Sequence, residues 1–370
     1  MIYFDNAATT FPKPDCVYES VGFAMKNYAF NAGRGSYSAA QSTFKMIEET
    51  REKIASLSGC NGNDVVFCPS ATNAINSIIV GLNLSEKDYV YVSPFEHNAI
   101  IRTLKFYNVN IIVIPFDKLT WKVDYNKLND LFVLNKPTAV MLSHISNVTG
   151  FLLPYEEIFT LAKKYGSVNI LDAAQSYGVK KVNTNSLDFI VFAGHKSLYA
   201  LFGIAGYINV NKISLLNTII GGTGSDSLNE KMPDEMPFKY EAGSPNSIAI
   251  YSLNKSIDFL KVNNIEKIES KMVQYFIEKA KKVSKIKIYL PENYISSGIV
   301  SFNIEGYTSD EVGTILSEEF DICVRTGYHC APYIHDLISS KEYLGTVRVS
   351  FGAFNTIEEV DILVSALAEL

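Results

Sequence analysis

Two residues of opposite charge each stand just past a short apolar run. Asn169-Ile170-Leu171 ends in Asp172-Ala173-Ala174-Gln175, and Val191-Phe192-Ala193 ends in Gly194-His195-Lys196. If both runs are strands of an open α/β sheet, Asp172 and Lys196 fall at carboxyl ends of strands, where such sheets bind their ligands. A lysine desolvated there becomes the neutral amine that attacks a carbonyl, and a buried carboxylate there can pair with a protonated ring nitrogen. An acid and an amine so placed suggest pyridoxal phosphate. Alone, Lys196 reads as a solvated loop lysine, so the weight falls on its neighbours.

Cys68-Pro69-Ser70-Ala71-Thr72-Asn73 joins another strand-like run to a helical one. Free amides and the dipole at a helix N-terminus attract a phosphate, although Ser70 and Thr72 also read as ordinary N-caps. His97, in Phe95-Glu96-His97-Asn98, could stack on a cofactor ring or exchange a proton near neutrality; it could equally be a surface histidine at a helix start. Asn147, in His144-Ile145-Ser146-Asn147-Val148-Thr149-Gly150, could donate to a phenolic oxygen or simply shape the turn before Gly150. Four strand ends bearing His97, Asn147, Asp172 and Lys196 form a constellation that no single member would suggest.

Cys330 stands in Val324-Arg325-Thr326-Gly327-Tyr328-His329-Cys330-Ala331-Pro332. Electropositive, accessible surroundings lower a thiol pKa and favour the nucleophilic thiolate; the plain alternative is an exposed cysteine beside a histidine. Arg348 interrupts the β-branched run Thr346-Val347-Arg348-Val349-Ser350. It is either an edge charge or a fork suited to a carboxylate.

The elements that must position these residues alternate along the chain. Strands are expected at Val65–Cys68, Tyr89–Ser93, Ile111–Pro115, Ala139–His144, Asn169–Leu171, Phe189–Phe192 and Ala205–Val210, with helices between, among them Asn73–Leu82 and Tyr155–Tyr165. That alternation predicts a mostly parallel seven-stranded sheet covered on both faces. Residues 221–247 read as a long irregular loop. From Ile248 a helix-rich stretch leads to a second α+β unit, in which strands Ile299–Ile304 and Thr346–Phe351 precede the capping boxes Thr308–Glu311 and Thr356–Glu359. The partition expected is a large domain of residues 15–247 and a smaller one of residues 1–14 and 248–370.

With 370 residues, 47% of them hydrophobic and 19% charged, the chain can build two cores. A net charge of −6 argues against nucleic acid or an anionic membrane as partner. The opening Met1-Ile2-Tyr3-Phe4-Asp5-Asn6 lacks the basic-then-apolar pattern of a signal peptide, and apolar runs are strand-sized, so no membrane span and a cytoplasmic location are expected. Five scattered cysteines fit neither a disulfide framework nor a zinc pattern, and no metal is expected. Cys68 and Cys323, inside apolar runs, are expected as small core residues. Gly33-Arg34-Gly35 and Gly222-Thr223-Gly224 do not join a strand to a helix as a dinucleotide fingerprint does.

In their order along the chain these motifs resemble the class V aminotransferase-like family of pyridoxal-phosphate enzymes, cysteine desulfurases and selenocysteine lyases in particular. The likeness runs from Tyr3-Phe4-Asp5-Asn6-Ala7-Ala8-Thr9-Thr10 through Asn31-Ala32-Gly33-Arg34-Gly35-Ser36 to Ser350-Phe351-Gly352-Ala353-Phe354-Asn355-Thr356. Its most specific pieces are Gly194-His195-Lys196, Tyr240-Glu241-Ala242-Gly243-Ser244-Pro245-Asn246 and Arg325-Thr326-Gly327-Tyr328-His329-Cys330-Ala331.

The resemblance implies the type I fold of pyridoxal-phosphate-dependent transferases, with Lys196 bearing the cofactor and moving the substrate Cα proton. It implies Asp172 on the pyridine nitrogen, His97 on the ring face, and Asn147 and Gln175 on substrate or phenolic oxygen. Thr72, His195 and the Ala71 amide would bind phosphate, joined by Ser244 of a second subunit in a homodimer. Arg348, with Arg325, would hold the substrate carboxylate, and Cys330 would accept sulfur from L-cysteine, leaving alanine and a persulfide for an acceptor protein. L-Selenocysteine, or another reaction of the same cofactor, is the alternative. Ala193 departs from relatives that carry a hydroxyl there, and Tyr328 from a subgroup with histidine.

Overall fold

β-Branched and aromatic residues concentrate in short runs that are apolar on both faces, which suits strands buried between two helical layers. In chain order the helices and strands are β1 (Ile2–Tyr3), α1 (Asp15–Asn27), α2 (Ser38–Ser56), β2 (Val65–Cys68), α3 (Ala71–Gly81), β3 (Tyr89–Val92), α4 (Asn98–Phe106), β4 (Asn110–Val113), α5 (Tyr125–Leu134), β5 (Ala139–Ser143), α6 (Tyr155–Lys163), β6 (Val168–Asp172), β7 (Phe189–Ala193), β8 (Ala205–Asn209), α7 (Ser247–Val262), α8 (Ile265–Ala280), β9 (Ile286–Ile288), β10 (Ile299–Ile304), α9 (Ser309–Phe320), β11 (Ile322–Cys323), α10 (Ile334–Leu337), β12 (Val347–Ser350) and α11 (Ile357–Ala368). This computed structural model describes residues 1–32, 35–224, 228–291 and 297–370. Gly33 and Arg34, within the Asn31–Ser36 motif, lie outside the described residues.

Seven strands form the central sheet in the order β2-β8-β7-β6-β5-β3-β4. β8 runs antiparallel to both neighbours, and the other pairings are parallel. Alternation along each strand splits the core in two. Tyr91, Val140, Leu142, Leu171, Ile190 and Phe192 face a layer built from α2, α5, α6 and α7. Val90, Val92, Met141, Ile170, Phe189 and Val191 face α3 and α4.

The second unit is an antiparallel sheet, β12-β10-β9, covered by apolar residues of α8, α9 and α11. Both capping boxes form, at Thr308–Glu311 and Thr356–Glu359. The N-terminal strand belongs here too: β1 pairs parallel with β11, and Phe4 is buried in the same core.

Helix α7 packs Ala249, Ile250, Leu253, Ile257 and Leu260 into the central-sheet core beside α2, and Ile265 at the start of α8 joins the same core. An apolar stripe on a helix does not say which core it fills. α3 begins at Ala71, two residues ahead of the helix expected at Asn73, because the Ser70 hydroxyl accepts the Asn73 amide at 3.2 Å and caps the earlier start. Between β8 and α7 no helix or strand is present among the described residues, in keeping with the long loop expected there. Cys68 and Cys323 are partly exposed rather than fully inside the core. Among the described residues no helix is long and apolar enough to cross a membrane.

Candidate active site

The carboxyl ends of β2, β3, β5, β6 and β7 open on one cavity, the position that a parallel sheet reserves for ligands. Its wall contains Ala71, Thr72, His97, Asn147, Asp172, Gln175, His195 and Lys196, with Ser70 and Ser143 between them. The strand-end residues singled out in the sequence therefore converge, as do the residues at the start of α3. Ala71 and Thr72 are the first residues of that helix, whose leading amides face no helical partner.

Asp172 closes β6 and is 8% exposed. Its Oδ1 accepts the Ala174 amide at 3.0 Å. Burial pushes the carboxyl up from its ordinary value, and the Ala174 amide and Lys196 pull the other way. Lys196 is pushed down by burial and, beyond that, by the Arg348 and Arg325 charges, while Asp172 opposes the shift. A lysine so placed gives up its proton more readily than one in water.

His97 is the N-cap of α4, its Nδ1 accepting the Ala99 amide at 3.0 Å, so a neutral ring carries its proton on Nε2. Burial, reinforced by Lys196 and several arginines, lowers it to about 4. His195 is likewise lowered to about 4 by burial, with Lys196 and Lys13 adding to it. Its ring stacks on Phe202 with centroids 4.4 Å apart, and its buried Nδ1 has no hydrogen-bond partner within the protein. Gln175 is aimed by its own bond, Nε2 donating to the Ala7 carbonyl at 2.8 Å.

Cys330, Arg325 and Arg348 do not line the cavity wall, yet all three lie close enough for their charges to act on Lys196. Cys330 is exposed, with Arg325 Nη2 3.9 Å from its Sγ. Its loop is tied to the cavity from two sides. The Asn98 amide donates to the Cys330 carbonyl at 2.7 Å, and Asn147 Nδ2 donates to the His329 carbonyl at 2.7 Å. His329 and Cys330 are both left-handed, with φ of 47° and 56°. Successive non-glycine residues in that region are strained and persist where the surroundings hold them. His329 adds a further tie, its Nε2 lying 2.9 Å from the Thr346 hydroxyl.

Arg348 is 1% exposed. Nη2 donates to Asp5 Oδ1 at 2.6 Å and Nη1 to the Asn147 carbonyl at 2.9 Å, while the buried Nε has no partner in the protein. The arginine is thus no edge charge. Ser244 is not in this cavity; it borders a larger groove with Arg51, Phe67 and Glu241. There Arg51 grips Glu241 with two bonds of 2.6 Å, and Glu241 Oε1 also accepts the Phe67 amide at 2.5 Å.

The sequence model of the family described as aminotransferase class-V matches residues 2–363. The chain belongs to the class-V aminotransferase family. A probable cysteine desulfurase of Methanothermobacter thermautotrophicus is 32% identical over 382 aligned positions, covering 100% of this chain and 94% of the relative. Among solved structures, the apo structure of a cysteine desulfurase from Thermococcus onnurineus aligns with a TM-score of 0.90 at 28% identity, covering 100% of this chain and 94% of that one. A cysteine desulfurase from Escherichia coli, solved as an S-sulfonic acid, aligns at 0.85 and 25% identity over 99% of this chain and 94% of its own. The class-V family fold expected from the motifs is therefore the fold present, with its mostly parallel seven-stranded sheet.

Three residues of this class-V site escaped sequence reasoning. Asp5, the partner of Arg348, sits in the Tyr3–Thr10 motif, and no local pattern pairs it with a residue so distant. Glu96 is fully buried beside His97, accepting from the Ser93 hydroxyl and from the Ser143 amide and hydroxyl. Lys13 reaches the His195 carbonyl. For Glu96, its place directly before His97 after an apolar run was the available signal.

Proposed function

We propose that this chain is a pyridoxal-phosphate-dependent cysteine desulfurase that converts L-cysteine to L-alanine and leaves the sulfur as a persulfide on Cys330. The observation that carries the reading is the tie between the thiol loop and the cavity: Asn98 and Asn147 hold the carbonyls of Cys330 and His329, each 2.7 Å away. The thiol loop is thereby tied to two turns that border the lysine-bearing cavity, a provision that a transaminase does not need.

The wall chemistry fits the cofactor. The α3 amides of Ala71 and Thr72 and the unpartnered His195 Nδ1 suit a phosphate. A carboxyl raised by burial gains most from a cationic partner, and Asp172 would find one in a protonated ring nitrogen. His97 would cover the ring face, and Asn147 and Gln175 would contact the phenolic oxygen or substrate. When bound, pyridoxal phosphate supplies an electron sink for the pair left at the substrate Cα.

Lys196 would anchor the cofactor and, once displaced, take the Cα proton on a nitrogen whose pKa burial lowers from its ordinary value. Arg348, through its free Nε, and Arg325 would hold the substrate carboxylate. The Cys330 thiolate then forms a bond to the substrate sulfur as the Cβ–S bond breaks, its electron pair remaining with the carbon fragment that takes up protons to become alanine. An external thiol or acceptor protein removes the persulfide sulfur. The groove bearing Ser244, with Phe44 and Phe67 in its wall, supports a homodimer in which Ser244 serves the other subunit's phosphate. Free thiols at all five cysteines fit a reducing, cytoplasmic setting.

The test is alanine formation from L-cysteine by protein loaded with pyridoxal phosphate, beside Cys330→Ala, with L-selenocysteine as second substrate. Wild-type turnover that is lost in Cys330→Ala while the variant keeps the yellow cofactor supports the reading. A loaded wild type that makes no alanine, or a variant with full cysteine turnover, overturns it.

A further inference from the structure

The N-terminal arm carries a lysine that none of these roles uses. Lys13 stands between Pro12 and Pro14, which restrict its backbone, and its amide donates to the Tyr18 hydroxyl at 3.0 Å. The side chain is buried at 9% exposure. Its ammonium donates to the Thr10 hydroxyl at 2.7 Å and the His195 carbonyl at 3.0 Å, with the Thr9 hydroxyl 3.5 Å away. Burial alone pushes the lysine down to about 7, and no acidic group offsets it.

A carbonyl has two lone pairs. That of His195 already accepts the Thr10 amide at 3.1 Å and the Thr9 hydroxyl at 3.1 Å. The ammonium is therefore not needed to satisfy it, and burying a cation without a carboxylate is unfavourable. What the lysine adds is a further donor to that oxygen, and one that is charge-assisted whenever the amine is protonated. The bonded carbonyl belongs to the peptide joining His195 to Lys196. The rest of that turn closes on itself and on the entry to β8: Gly194 N donates to the Ile204 carbonyl at 3.0 Å, Tyr199 N to Lys196 at 2.9 Å and Ala200 N to Gly194 at 2.8 Å. The His195 carbonyl is the handle by which the arm holds the turn.

We infer that Lys13 is a positioning residue: through the His195 carbonyl it fixes the peptide on which Lys196 is mounted and so sets the direction of the Lys196 amine. The role rests on the reading of Lys196 as the cofactor-bearing amine.

The experiment compares wild type with Lys13→Met, which keeps length but loses charge and donors, and Lys13→Arg, which keeps a charged donor. Three quantities are read: the pyridoxal phosphate dissociation constant, the rate at which Lys196 captures the cofactor after mixing, followed by visible absorbance, and the melting temperature of the cofactor-free protein. Lys13→Met should weaken binding and slow capture by about ten- to a hundredfold, and Lys13→Arg should restore most of both. A merely structural lysine would move the melting temperature and leave the capture rate of folded protein unchanged, and that result overturns the role. If Lys13→Met does not fold, Thr10→Val, which removes the hydroxyl steering the ammonium, should slow capture in the same direction; a wild-type rate there overturns the role as well. A wild type that captures no cofactor sinks the functional reading itself, whereas capture by wild type and Lys13→Met alike sinks this inference alone.

Discussion

Arg348 and Asp5, 343 positions apart in the chain, meet in an ion pair of 2.6 Å, with the arginine side chain 2% and the aspartate side chain 22% exposed. The same guanidinium donates to the Asn147 carbonyl at 2.9 Å. One side chain thus joins the N-terminal arm, the last strand and the turn after β5, and its orientation is set before any substrate arrives.

Removing the carboxylate leaves a buried cation with half its fork unpaired. Asp5→Ala should cost about 3 kcal/mol in urea unfolding, and Asp5→Asn, which keeps an acceptor, should recover part of it. Because Arg348 then loses its fixed direction, KM for L-cysteine should rise more than kcat falls. An unchanged urea midpoint together with an unchanged KM would remove Asp5 from the account.

Asp172→Asn keeps the shape of the cavity end and deletes its charge. Alanine formation should fall by about 10²–10³, with the cofactor still bound. The comparison of turnover with bound-cofactor absorbance separates loss of the charge from loss of the cofactor. Wild-type turnover in a loaded Asp172→Asn would contradict its pairing with the ring nitrogen.

The sheet was legible because its strands are runs such as Tyr89–Val92 and Phe189–Ala193, whose β-branched and aromatic residues are buried on alternating faces. The residues closing those runs, His97, Asn147, Asp172 and Lys196, could be read as one site because strand direction in a parallel sheet is itself predictable. The contacts that aim them could not. Asp5 reaches Arg348, and Ala7 reaches Gln175, across chain separations that no periodicity encodes. Nothing in the sequence next to Glu96 shows that Ser93 and Ser143 surround it. Ser244 lies in a second groove, apart from the residues that line the cavity.

Glu96 carries a pH signature. Burial pushes its carboxyl up to about 8 from an ordinary 4.5, despite bonds from Ser93 and Ser143. Between those limits the folded protein holds a proton that the unfolded chain has released, so this residue's contribution falls as pH rises toward the folded value. Glutamine cannot ionise. The melting-temperature advantage of wild type over Glu96→Gln should therefore be largest near pH 5 and narrow, or reverse, above about pH 8. His97, His144 and His195, lowered to about 4, slope the other way in acid but do so in both proteins and cancel in the difference. A gap that does not vary with pH would mean that Glu96 is ionised in the folded state throughout.

Gly345 is the position where the thiol loop meets the strand that bears Arg348. Its φ is +118°, and a Cβ there would lie 2.3 Å from both the carbonyl carbon and the oxygen of Gly327. Backbone cannot yield as a side chain can, so Gly345→Ala must push Gly327 away. Gly327 opens the segment that ends at Cys330, and its carbonyl accepts the Thr346 amide at 3.0 Å. Displacing it should lower desulfuration by about ten- to a hundredfold through misplacement of the thiol, while the strand-end residues that line the cavity stay in place and cofactor binding should be kept. Gly306→Ala separates this from the cost of a left-handed backbone: φ is +95° there and a Cβ would meet nothing within 4 Å. It should lose about 1–2 kcal/mol of stability and keep its turnover. Equal losses of turnover in the two variants would mean that strain, and not the contact with Gly327, governs the loop.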